Sequence, residues 1–170
     1  GFTDSAPVME RQWAVLSGLG WIGRNTLLIH PKIGSFYFIA TIIGNSPQAF
    51  PDPEPIGDHC GTCNRCVEAC PTDALLSEGY RLDASKCISY LTIETKSKIP
   101  PALEAKMENW LFGCDICQDV CPWNRFSKPH DESSFDILPA LADSDYNYWN
   151  TLDQQTFATQ YAESPLSRAG

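Results

Sequence analysis

Cys60-Gly61-Thr62-Cys63-Asn64-Arg65-Cys66-Val67-Glu68-Ala69-Cys70-Pro71 is the stretch that decides how this chain is read. Its cysteines are spaced x2, x2 and x3, and a proline follows the last. A second run repeats the pattern with an interruption: Cys87, then 26 residues, then Cys114-x2-Cys117-x3-Cys121-Pro122. Together the runs use all eight cysteines of the chain. An x2 spacing lets successive sulfurs and their backbone N–H groups wrap one corner of a compact inorganic body. Proline after the last cysteine turns the chain away without leaving an amide that needs a partner.

This spacing is that of the bacterial-ferredoxin run, whose fourth cysteine ligates the other of two 4Fe–4S clusters. One cluster is then expected on Cys60, Cys63, Cys66 and Cys121, and the other on Cys70, Cys87, Cys114 and Cys117. A four-thiolate zinc site on Cys60, Cys63, Cys114 and Cys117 is the alternative, and it leaves four cysteines and both Cys-Pro endings without a role. Four disulfides suit a short secreted chain, yet no basic stretch leads into an apolar segment as an export signal requires. A reducing, cytoplasmic compartment is expected. The longest apolar stretch, around Phe36–Ile43, is too short to span a bilayer, so no membrane partner is expected.

The chain has 170 residues and a net charge of −9, and its pI is near 4.6. Anionic clusters deepen that deficit. Non-specific attraction to nucleic-acid phosphates needs Lys and Arg, so any nucleic-acid contact must be local. Apolar residues at 43% supply enough material for a core.

Around the cysteines, Ser5-Ala6-Pro7 reads as a helix start, with Val8, Trp13, Ala14 and Leu16 on its buried side and Gly18 or Gly20 closing it. Leu27–Ile29 and Phe36–Ile43 read as two strands joined by His30-Pro31-Lys32-Ile33-Gly34. Residues 45–59, with four prolines, read as a connecting loop. The interruption between Cys87 and Cys114 carries a packed segment at Ile88, Leu91 and Ile93 and a helix over 100–110. Such an insertion beside a cluster either builds a wall against a second cofactor or simply stabilises the domain. Leu152–Tyr161 reads as helical, with Thr151 as its N-cap. His30, His59 and His130 read as ordinary loop or surface residues. Both ends read as cut, so a fragment of a longer protein is expected.

A set of segments in order resembles the epoxyqueuosine reductase family. They are Thr3-Asp4-Ser5-Ala6-Pro7, Glu10-Arg11, Gly18-Leu19-Gly20-Trp21-Ile22-Gly23-Arg24-Asn25-Thr26 and Gly34-Ser35-Phe36. Cys87-Ile88-Ser89-Tyr90-Leu91-Thr92-Ile93-Glu94, Gly113-Cys114-Asp115, Cys117 and Cys121-Pro122-Trp123-Asn124-Arg125 continue it. The resemblance covers about residues 2–126. It implies an oxidoreductase in which electrons pass through two 4Fe–4S clusters to cobalamin, and the epoxide of epoxyqueuosine in tRNA becomes an alkene.

It also implies an α+β fold: a two-cluster ferredoxin-like domain over 59–130, part of an α/β cobalamin-binding domain over 1–58, and the start of a helical C-terminal region over 131–170. The expected partners are tRNA and an electron donor such as a flavodoxin or ferredoxin. Asp4 matches the family's proton donor, a role that needs its pKa raised by burial; from spacing alone it is a residue at a helix start. Arg24, Asn25 and Thr26 match the cobalamin-contacting loop, where the family usually has Lys at the position of Arg24; the bland alternative is a helix C-terminal turn with an exposed arginine. Asp115 either faces the corrin or is exposed to solvent. The fragment alone is expected to be inactive. The alternatives are a ferredoxin-type electron-transfer module and a cobalamin-linked reductive dehalogenase.

Overall fold

The computed structural model describes residues 7–45, 52–142 and 144–168. In chain order the helices are α1 (Glu10–Leu16), α2 (Arg65–Glu68), α3 (Ile88–Ile93), α4 (Pro101–Glu104), α5 (Ile116–Asp119), α6 (Pro139–Ala142), α7 (Tyr146–Thr151) and α8 (Gln154–Gln160). Short 3-10 turns follow Asp83, Cys121, Glu132 and Ser164. Two strands, β1 (Trp21–Ile22) and β2 (Leu28–Ile29), form an antiparallel ribbon with Trp21 opposite Ile29. The chain divides into two units, Gly1–Cys87 with Cys114–Ser127, and Ile88–Gly113 with Lys128–Gly170.

The first unit holds all eight cysteines. Its core is Ala14, Trp21, Leu28, Ile29, Ala74 and Leu75. α1 begins three residues after Pro7 and closes where Gly18 takes φ +69° and Leu19 N–H bonds back to Ala14 O. Gly20 must be glycine, because a Cβ there would stand 2.1 Å from the Ile29 carbonyl oxygen. β1 and β2 thus approach at a distance no side chain allows. α2 and α5, each lying within a cysteine run, pack on one another.

The N-terminal segment is tied to the second cysteine run by Asn124. Its side-chain oxygen accepts from Ser35 N–H at 2.6 Å, and its NH2 donates to Gln118 O at 2.8 Å and to Ser35 Oγ at 3.0 Å. Gly34 makes room for it with φ +76°; a Cβ there would meet Asn124 Oδ1 at 2.1 Å. All these groups are partnered, as buried polar groups must be.

The second unit buries Ile88, Leu91, Met107 and Tyr161. Tyr161 stacks on Trp149 and packs on Phe157, and its hydroxyl meets that of Tyr148 at 2.8 Å. Arg168 joins Glu94 at 2.8 Å.

Four expectations are corrected. Phe36–Ile43 forms no strand: Phe38 is 85% and Ile42 96% exposed, and β2 pairs with β1 instead. A strand needs a partner ladder and a face to bury, and this segment has neither among the described residues. The expected turn is real, with His30 and Gly34 closing it as a bridge. On α1 only Ala14 is buried, while Trp13 and Leu16 are exposed. The helix expected over 100–110 is the single turn α4. The last helix starts at Gln154, and Asp153, not Thr151, caps it by accepting from Thr156 N–H.

Candidate cluster centre

The cysteines gather by chemistry rather than by order. Cys60, Cys63 and Cys66, on the loop leading into α2 and on that helix, line one cavity of about 190 Å³ together with Cys121, which follows α5. Arg24, Arg65 and Arg125 complete its charged wall and Ile29, Pro122 and Trp123 its apolar one, with His59 also lining it. Cys121 and Cys60 both act electrostatically on Cys66, whereas Cys114 is acted on by Cys87 and Cys70. Cys117 is acted on by Cys114, Cys66, Cys87 and Cys70. The two neighbourhoods therefore meet between Cys66 and Cys117, and each takes its last member from the other run. All eight sulfurs are free of disulfide bonds.

Burial pushes the thiols of Cys60, Cys66 and Cys114 up, and Cys117, pressed also by its neighbours, reaches about 12. As thiols these side chains are reluctant acids, and iron must displace their protons. Backbone N–H groups work in the opposite direction. Val67 N–H favours the Cys66 thiolate, Ile116 N–H that of Cys114, and Ala74 N–H points at Cys70 Sγ at 3.3 Å. Half-buried sulfurs that meet N–H dipoles suit a cationic iron core bridged by sulfide. The four sulfurs around this one cavity are an all-thiolate donor set of the kind that iron–sulfur clusters take.

Arg24 braces this centre. Its guanidinium donates to Asn64 Oδ1 at 2.8 Å, Gly61 O at 3.0 Å and Glu78 O at 3.2 Å, and lies over the Tyr80 ring at 5.2 Å. Asn25 is buried, and its NH2 reaches Cys117 O at 3.3 Å. Thr26 takes φ +66°, a conformation that β-branched residues rarely adopt, and its carbonyl accepts from Arg11. Asp115 is exposed and accepts from Gln118 at 2.6 Å. Asp4 lies outside the described residues.

Sequence reading gave no role to Asp58, Tyr80, Trp21, Trp123 or Asn124. Tyr80 donates to Asp58 at 2.5 Å, and this bond first, then burial, pushes its hydroxyl up to about 12. Burial works to raise the Asp58 carboxyl, but Tyr80, the Cys60 amide and Arg24 together hold it below its ordinary value. Trp21 stands edge-on to His59 and to Trp123, each at 5.0 Å. The available signal was aromatic residues beside glycine and Cys-Pro, which marks packing without saying against what.

Cavity, thiols and amide dipoles together define a protein built on a double-cluster iron–sulfur domain, and residues 59–124 match the family described as 4Fe-4S double cluster binding domain. The epoxyqueuosine reductase of Cyclobacterium marinum is 56% identical over 98% of this chain and 52% of its own length, and that of Cellulophaga algicola 48% identical over 98% and 54%. A crystal structure of epoxyqueuosine reductase with a tRNA-Tyr epoxyqueuosine-modified stem loop superposes with a TM-score of 0.85 at 31% identity, over 99% of this chain and 46% of that one. Over almost its whole length the chain is similar to epoxyqueuosine reductases, and it spans about half the length of the curated relatives it matches.

Proposed function

We propose that this chain is the electron-carrying part of an epoxyqueuosine reductase, an oxidoreductase that converts the epoxide of epoxyqueuosine in tRNA to an alkene. It holds one 4Fe–4S cluster on Cys60, Cys63, Cys66 and Cys121 and another on Cys70, Cys87, Cys114 and Cys117. One observation carries this: Cys121 joins Cys60, Cys63 and Cys66 around a single cavity, in a chain similar to such reductases over almost its whole length. Clusters, when bound, accept and release single electrons, and cobalamin in the full-length protein supplies the reducing centre.

Removing the epoxide oxygen consumes two electrons and two protons and releases water. Asp4 is the group assigned to protonate the oxygen as the C–O bond breaks. The chain's own residues hold the sulfurs in place and shield them. Arg24 pins the Cys60–Cys66 loop, Asn25 the Cys117 carbonyl, and three arginines offset the anionic charge of the first cluster. The strained Thr26 backbone supports a ligand-facing role for residues 24–26, since strain of this kind persists where function requires it. Exposed Trp13, Leu16, Phe38, Ile42 and Ile43 support residues 1–58 as part of a cobalamin-binding domain, being apolar surface of the kind another domain covers. An electron donor such as a flavodoxin or ferredoxin serves it in the cytoplasm. Among the described residues no helix is long and apolar enough to cross a membrane.

The test uses the full-length protein, reconstituted anaerobically with iron, sulfide and cobalamin and supplied with a chemical reductant. Conversion of epoxyqueuosine-tRNA, lost when cobalamin is omitted, is the expected result. Turnover of a halogenated organic without any of the tRNA would point to a reductive dehalogenase. Redox-active clusters with no turnover of either would leave an electron carrier.

A further inference from the structure

Trp21 is 3% exposed, and its buried indole Nε1 makes no hydrogen bond of good geometry, although it acts on the Cys60 sulfur. Leaving a buried donor without a full hydrogen bond is costly, so its placement needs a reason. The ring is tightly located. β1 sets its backbone opposite Ile29, and His59 and Trp123 hold it edge-on. Ile29, His59 and Trp123 all line the cavity of Cys60, Cys63, Cys66 and Cys121, and His59 immediately precedes Cys60. The indole N–H and the backbone N–H of Arg24 both favour the anionic form of the Cys60 sulfur. A neutral thiol is a poor acceptor, whereas an iron-bound thiolate is a good one.

We propose that Trp21 is a positioning residue whose indole N–H donates to Cys60 Sγ once iron is bound, raising the reduction potential of the cluster on Cys60, Cys63, Cys66 and Cys121. The inference rests on the ligand sets given above. Its physics is direct. Reduction adds negative charge to the cluster and its sulfurs, an N–H dipole stabilises the reduced form more than the oxidised, and the potential rises. The β-ribbon, outside both cysteine runs, would thereby set one cluster apart from the other.

The test is Trp21→Phe in the full-length holoprotein, which keeps an aromatic ring and removes the N–H. Iron is assayed first, and each cluster is then titrated anaerobically by electron paramagnetic resonance. Iron is expected to stay at the wild-type level while one midpoint falls. At a fixed potential the reduced-to-oxidised ratio of that cluster should drop about threefold to tenfold, tenfold being about 59 mV for a one-electron couple. The other midpoint stays put. Unchanged midpoints, or both moving together, with iron retained, would overturn the inference while leaving the ligand sets standing. A wild-type protein that binds no iron overturns both. If the variant loses its iron, the wild type decides. With nitrogen-15 in its indoles, the reduced cluster should show a nitrogen-15 coupling that persists in Trp123→Phe, and absence of the coupling refutes the bond.

Discussion

At the scale of single residues, the first unit depends on a few polar side chains whose partners lie far off in sequence. Asn124 is one. Asn124→Ala strands Ser35 N–H and Gln118 O in a buried setting, and a loss of about 2–3 kcal/mol is expected, read as faster hydrogen exchange at the Ser35 amide. Thr26 offers the reverse. Its backbone at φ +66° costs about 1–2 kcal/mol for an L-residue, of which glycine would return all but its own entropy. Thr26→Gly should therefore stabilise the chain by about 0.5–1 kcal/mol, seen as a higher melting temperature. Activity of the full-length enzyme should fall if the strained turn faces the cofactor. No stabilisation would mean that the turn is held at no cost.

At the scale of elements, legibility followed the range of the forces involved. The cysteine runs were readable because wrapping a cluster is local chemistry that dictates spacing, and α2 and α5 sit inside those runs. The turn at 30–34 was readable from Pro31 and Gly34. Phe36–Ile43 misled because an apolar, β-branched run describes a surface that wants covering, and a strand also needs a neighbour. The role of Trp21 was out of reach for a related reason: its environment is assembled from His59 and Trp123, 38 and 102 positions further on. The cap of α8 was missed by two residues, although Asp153 is the better acceptor. The amide and hydroxyl of Thr156 hold the Asp153 carboxyl below its ordinary value. A group so depressed contributes above its unfolded pKa, and the contribution fades as pH falls through the folded one. Exchange at the first amides of α8 should thus quicken on acidification in the wild type and stay flat in Asp153→Asn, where the cap cannot titrate.

At the scale of the molecule, the crossed ligand sets give the sharpest prediction. Anaerobic reconstitution should load about eight irons, and replacing one cysteine should remove about four. Cys60→Ala combined with Cys121→Ala should lose no more iron than either alone, because the proposed sets give both to one cluster. Cys121→Ala combined with Cys117→Ala should lose nearly all of it. Near-stoichiometric zinc without iron would refute the assignment. The 170-residue chain by itself is expected to leave epoxyqueuosine-tRNA unchanged, because it spans only half the length of its relatives.

The cavity that Cys121 closes also has a history in time. A chain emerging from the ribosome presents Cys60, Cys63 and Cys66 early, then must extrude more than fifty further residues before the fourth sulfur arrives. Until then three exposed thiols wait together, open to oxidation and to stray metals. A stop before Cys121 would leave the proposed set one sulfur short, with one iron of the cluster open to solvent.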